Sequence, residues 1–257
     1  MPLPTPRWVQ GFALFLLAAT VAQGQQATNR VFASRAEQAF VHAQKEFAAH
    51  PDVATNAWAL GYRSFEWSEF ATNEQQRADV VQVGIDACRQ LLVHDPNSAP
   101  AHYYLGMNYG GLAEAESPSL AAYKLIRDIE WEFRFAANLD EKLDYAGPVR
   151  CLGLLYRDAP GWPISIGSKH KAREYLERAA AIAPDYPDNQ MNLVESYIRW
   201  HQSTEAQAAW QKLALIWPAA KTNLAGPAWE PYWDDWITRK AAAKTDFQKT
   251  FKQNLEP

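Results

Sequence analysis

The stretch from Pro184 to Pro218 constrains this chain more than any other part. The two prolines are 34 residues apart, and the sequence between them reads as two helices. The first begins at Asp188-Asn189 and runs through Leu193, Ser196 and Tyr197. A turn follows near His201-Gln202, and the second helix passes Ala206, Trp210 and Leu213. It is expected to stop at Trp217-Pro218, because proline lacks the N–H that would continue it. A helix pair of this size cannot bury its own apolar face, so it must stack on neighbours of the same kind.

Two related first helices lie upstream. Asp95-Pro-Asn-Ser-Ala-Pro-Ala-His-Tyr-Tyr-Leu-Gly-Met-Asn-Tyr109 and Asp144-Tyr-Ala-Gly-Pro-Val-Arg-Cys-Leu-Gly-Leu-Leu-Tyr156 share the order Leu-Gly-x-x-Tyr. The glycine leaves room for a neighbouring helix to come close. Gly106 and Gly153 are 47 residues apart, more than one repeat. The excess is an extended second helix (about 118–138) and a loop of about ten residues inside the next unit. A 34-residue period, with a large residue, a small residue and Tyr followed by Ala, an aromatic residue and Pro, is the layout of the tetratricopeptide repeat. The expected fold is therefore all-α: a tetratricopeptide-repeat-like α-solenoid of antiparallel helix hairpins, with strand content near zero.

The flanks fit that reading. Phe32, Ala36, Ala39, Phe40, Ala43 and Phe47 mark a helix over about 32–49, which Pro51 stops and after which Asp52 can open the next turn. A second helix (about 54–70) carries Trp58, Tyr62, Phe65 and Phe70. Thr72 and Gln75 form a capping box for a third helix that runs to about His94. Asp95-Pro96-Asn97-Ser98 is a turn with a cap, opening a fourth helix over about 98–113. At the other end, Trp229-Glu-Pro-Tyr-Trp233-Asp-Asp-Trp236 is an aromatic cluster followed by a polar helix over about 234–253, read as a cap on the last apolar face. The domain plan is a signal peptide over 1–24 and one helical-repeat domain over 25–257, with 95–218 the clearest repeats and 227–257 the cap.

The signal-peptide expectation rests on Arg7 and the apolar run Phe12–Ala22, too short for a bilayer span of roughly 20 residues. Cleavage is expected after Gly24, or after Ala22, giving a periplasmic or secreted protein; an uncleaved anchor is the alternative. Without Arg7 the chain carries 24 basic and 29 acidic residues, a net charge near −5. With no basic stripe, a nucleic-acid partner is not expected. Cys88 and Cys151 lie inside apolar helical patterns and read as small buried hydrophobes, though export would permit a disulfide. His42, His50, His94, His102, His170 and His201 form no metal-ligating cluster, so no metal or other cofactor is expected.

The segment from Asp158 to Asn189 contains Ala-Pro-Gly-Trp-Pro-Ile-Ser-Ile-Gly, a lysine-bearing helix and the turn Ala183-Pro-Asp-Tyr186. With Gly147-Pro148-Val-Arg-Cys-Leu-Gly-Leu-Leu-Tyr156 upstream, it resembles the T component of tetratricopeptide-associated TRAP transporters, over about 95–200 of this chain. The resemblance implies a periplasmic helical-repeat protein that docks a soluble solute-binding subunit. It also implies self-association and the holding or passing of a small organic ligand. Members are typically lipid-anchored through a cysteine after the signal peptide; here Gln23, Gly24 and Gln25 surround the cut, and no lipid anchor is expected.

Within the Pro160–Gly167 loop, Pro160 and Pro163 add stiffness, Gly161 and Gly167 permit unusual backbone angles, and Trp162 offers a stacking plane. Trp162, Pro163 and Ser165 are therefore candidate partner- or ligand-binding residues; alternatively Trp162 packs into the core and Ser165 or Ser168 caps the next helix. Ser165 is no esterase nucleophile, since Pro163 stands where the nucleophile elbow needs glycine. Asn108 and Tyr109 are further candidates near the end of a first helix, where a buried repeat tyrosine is the competing reading. Glu130 and Arg134 are spaced for an i,i+4 ion pair rather than an acid–base site. No catalytic residue is expected. The leading functional expectation is a scaffold for a periplasmic protein, with a stand-alone receptor for a hydrophobic or aromatic small molecule as the alternative.

Overall fold

The computed structural model describes residues 22–117 and 119–255, with side chains from residue 30 onward. The expected signal peptide rests on residues before Ala22 and lies outside the described residues. Among the described residues ten helices follow in order: α1 (Ala22–Ala49), α2 (Ala54–Ser68), α3 (Glu74–His94), α4 (Ala99–Ala115), α5 (Leu120–Leu139), α6 (Leu143–Asp158), α7 (Lys169–Ile182), α8 (Pro187–Arg199), α9 (Ser203–Asn223) and α10 (Glu230–Phe251). No strand occurs among the described residues. The helices group into two compact units, an N-terminal one (22–140 with 158–166) and a C-terminal one (141–157 with 167–255).

In the N-terminal unit α1 packs on α2, α2 on α3 and α4, and α4 on α5, and the short connections make sequence neighbours antiparallel. Phe40, Leu60, Val80 and Ala87 form one apolar cluster, and Ala57, Leu91 and Ala101 a second. The capping box at α3 sits one residue later than expected. Asn73 accepts from the Gln76 N–H at 2.9 Å, and the Gln76 side chain accepts from the Thr72 N–H at 2.8 Å. At the next turn Ser98 precedes α4 without a side-chain cap, and the Asp95 carboxylate accepts from the Asn97 N–H instead. Gly106 has the expected packing role: a Cβ there would lie 2.7 Å from the Phe133 ring of α5.

In the C-terminal unit Gly153 repeats the device, since its Cβ would lie 2.7 Å from Leu176 of α7. Two features depart from expectation. Asp144, Tyr145 and Ala146 take left-handed φ values of 51°, 54° and 64°, so regular right-handed helix begins only after them. Pro148 then falls in the first turn, where a missing N–H removes no helical bond. The second departure is α9, which continues through Pro218 to Asn223 instead of ending there. The lost bond costs about 3 kcal/mol or more. The extra turn offsets it by burying Ala220, and Leu224 beyond it, in a cluster with Tyr186, Tyr232 and Trp236. The expected cap is α10, which packs on α8 and buries Tyr232, Trp236, Arg239, Ala243 and Phe247.

Candidate functional site

The loop between α6 and α7 is held at its base, where the Ser168 N–H donates to the Tyr156 carbonyl at 2.8 Å, and again within its exposed turn. Ile164 and Ser165 both donate their N–H groups to the Gly161 carbonyl, at 3.1 and 3.2 Å. Trp162 is 88% exposed and Ile164 69%, with Pro163 also exposed between them and Ser165 half-buried. The alternative that Trp162 packs into the core is therefore not what the fold adopts. Neither Gly161 nor Gly167 uses a positive φ; Gly226 does, so the loop's glycines contribute no left-handed turn. Capping of α7 falls to Ser168, which accepts from the Lys171 N–H at 3.3 Å. A tryptophan and an isoleucine both facing water on one short loop form the composition of an interface anchor.

Asn108 and Tyr109 are placed differently. Asn108 is fully buried and donates to the Gly61 carbonyl at 2.8 Å and the Tyr104 carbonyl at 2.7 Å, tying α4 to α2. The buried Tyr109 hydroxyl accepts from Arg89 Nε at 3.1 Å, and burial raises its pKa. Both sit inside the N-terminal unit, where their visible work is packing and hydrogen bonding. The Arg134–Glu130 pair is present at 3.8 Å.

Two polar clusters had no counterpart in the sequence reading. In the N-terminal unit His102 Nδ1 lies 2.6 Å from Glu132 Oε2 and Nε2 lies 2.9 Å from the Pro96 carbonyl. Two acceptors on one ring favour the imidazolium, in which both nitrogens donate. Burial pulls the His102 pKa down, but these bonds and the charges of Glu132 and Asp95 raise it overall. Cys88 lies deep in the same unit; burial and the Glu132 charge raise its pKa, which makes it an unreactive thiol.

The second cluster lies at the centre of the C-terminal unit. Arg150 and Asp188 are wholly buried, and Arg239 nearly so. Asp188 faces both cations, at 3.3 Å from Arg150 Nε and 2.6 Å from Arg239 Nη1. Arg239 also donates to Glu195, Asn192 and Asp235, while burial raises the Asp235 pKa. Arg150 Nη1 donates to the carbonyls of Asp144 and Tyr145, and the Asn189 side chain donates to the Tyr145 carbonyl as well. The left-handed segment is thus pinned by its own carbonyls. The sequence signal was faint: Arg150 stands in an otherwise apolar run, and Asp188-Asn189 read as an ordinary helix start.

A groove of about 670 Å³ runs between α7, α8 and α9. It is lined by Ala181, Leu193, Tyr197, Glu205, Leu215 and Ile216 among others. The Tyr197 hydroxyl donates to Glu177 at 2.7 Å, and burial raises its pKa. Among the described residues no group of three or more side chains is placed to hold a metal ion.

No family model matches the chain, and no curated protein matches it at a significant level. Among solved structures, a thermophilic TPR protein of Thermus thermophilus is similar in fold, with a TM-score of 0.59 over 85% of this chain and 95% of that one. The two sequences are 17% identical. Together with the helix order, this gives the chain an all-α, tetratricopeptide-repeat-like fold.

Proposed function

We propose that this protein is an exported helical-repeat scaffold that docks a periplasmic partner protein through the Trp162–Ile164 loop. The carrying observation is the exposure of Trp162 and Ile164 on a loop whose base is fixed by hydrogen bonds. Large apolar side chains held in water by a rigid support gain most when a partner covers them. The resemblance of residues 95–200 to the T component of tetratricopeptide-associated TRAP transporters makes a solute-binding subunit the partner to test, and the apolar run Phe12–Ala22 supports export.

The test is affinity purification of the tagged protein from native periplasm, with mass spectrometry of what co-purifies. A solute-binding protein in stoichiometric amount is expected, and Trp162→Ala should abolish its recovery. The same substitution should leave the denaturation midpoint within about 0.5 kcal/mol of wild type, because the side chain contacts water. Recovery of the protein alone from both forms would refute the reading. One observation favours a second reading, a receptor for an apolar small molecule: the groove between α7, α8 and α9 has the volume and lining of such sites. Native mass spectrometry showing a bound organic molecule that is lost in Leu193→Asp would favour it.

A further inference from the structure

The outward face of α5 departs from the rest of this acidic chain. Tyr123, Arg127, Trp131 and Phe135 follow one another at i,i+4, which places them in a single ridge along the helix. Trp131 is 62% exposed and its ring meets Phe135 at 5.9 Å, while Tyr123 and Arg127 face solvent. Leu120 (81% exposed) and Lys124 lie beside the start of the ridge, and Arg134 beside its end. The opposite face of α5, with Ile126, Ile129, Phe133 and Ala136, fills the core of the N-terminal unit. The helix is therefore fixed by one face and offers the other.

The charges on that face are unbalanced. Lys124 and Arg127 make no ion pair among the described residues, and Arg134 meets Glu130 only at 3.8 Å. Of the carboxylates on α5, exposed Asp128 flanks the ridge one turn beyond Lys124, Glu130 faces Arg134, and Glu132 is turned inward to His102, so three cations stand against two carboxylates on the outward side. Lys124 to Arg134 spans ten residues, about 15 Å of helix. Trp, Tyr and Arg are the side chains that carry most binding energy at protein interfaces.

We infer that this ridge docks an acidic, amphipathic segment of a partner protein, whose carboxylates pair with Lys124 and Arg127 while its apolar side chains cover Trp131 and Leu120. A narrow segment fits better than an anionic membrane plane. A plane would have to lie over the flanking carboxylates Asp128 and Glu130 together, whereas a helix can set its carboxylates one by one against Lys124 and Arg127. The inference rests on the scaffold reading but uses a different surface from Trp162.

The test titrates the full chain, by calorimetry, with a synthetic helical peptide carrying glutamate at i,i+4 positions beside leucine. A twin peptide with glutamine for glutamate is the control. The acidic peptide is expected to bind and the twin to bind at least tenfold more weakly. Arg127→Glu and Trp131→Ala should each lower affinity at least tenfold with an unchanged helical circular-dichroism spectrum, and Trp162→Ala should leave it unchanged. Salt at about 0.5 M, which shrinks the screening length to roughly 4 Å, should weaken binding as Arg127→Glu does. Equal binding of both peptides, no effect of the two substitutions, or no binding at all would overturn the inference. Sedimentation with phosphatidylglycerol vesicles that is lost in Arg127→Glu would also overturn it, by assigning the ridge to lipid. Because Trp162→Ala is the variant that tests the loop, failure of one reading is visible separately from failure of the other.

Discussion

The two units solve the same problem, burying polar groups among packed helices, in opposite ways. The N-terminal unit keeps its centre nearly neutral. Asn108 bridges α4 to α2 with an uncharged amide, and the hydrogen-bonded couple His102–Glu132 joins α4 to α5 beside the Asp95–Ser98 turn. The C-terminal unit places two arginines at its centre and makes Asp188 answer both. Asn189 is the counterpart of Asn108 in residue type, but its oxygen accepts from Arg150 and its amide holds the carbonyls of Tyr145, Ala179 and Ala183. A neutral bridge can be lost at the cost of one hydrogen bond or two. A shared counter-ion cannot, because its removal strands buried charge.

The contrast also accounts for the backbone at Asp144–Ala146. Three consecutive non-glycine residues in the left-handed region cost on the order of 1–3 kcal/mol each, and such geometry persists only where its surroundings over-determine it. Here Arg150 and Asn189 hold the carbonyls, and Tyr145 stacks on Tyr186 at 4.5 Å. The N-terminal unit has no positive-φ residue among its described residues. Charge at the centre and strain at the chain entry belong together, since the first supplies the restraint that the second needs.

The largest expected effect breaks this comparison at its hinge. Asp188→Ala should destabilise the protein by about 3–5 kcal/mol, read as a fall in urea midpoint, whereas Asn108→Ala should cost about 1–3 kcal/mol. Equal losses would show that the arginines are not held as buried charges. A smaller effect tests what the units share. Gly106→Ala and Gly153→Ala each force a methyl to 2.7 Å from a packed side chain, and each should cost about 1–3 kcal/mol. Gly153 is expected to be the worse, because the Leu176 backbone nitrogen also lies at 3.0 Å and cannot rotate away.

The smallest effect concerns pH. The folded-state pKa of His102 is raised above its ordinary 6.5, so its contribution is complete below that value and is lost as pH rises through the raised one. Stability measured across neutral pH should fall with rising pH, and His102→Gln should flatten that part of the curve. A flat wild-type profile would mean that the imidazolium does not form.

Much of the fold was legible in the chain itself. The 34 residues between Pro184 and Pro218, the two Leu-Gly-x-x-Tyr copies and the apolar spacing in α1 and α2 specify paired helices, because each pattern reflects a local requirement of helix packing. Helix ends were less legible. Asn73 and Thr72 compete for one cap, and Pro218 was overruled by the burial of Ala220 and Leu224. Of the candidate residues, Trp162 was singled out by its own loop, yet its exposure is decided by how the loop closes on Gly161. The pairing of Arg150, Asp188 and Arg239 was beyond reach, since it joins residues up to 89 positions apart.

By itself, then, the sequence determined the helices, their pairing and the close approach at Gly106 and Gly153, all properties of neighbours along the chain or of a fixed period. The tertiary structure decided which polar side chains face inward together, which aromatic residues stay in water, and where the backbone turns left-handed. Those outcomes depend on distant residues meeting in one low-dielectric interior, where a charge must find its partner or the fold is lost.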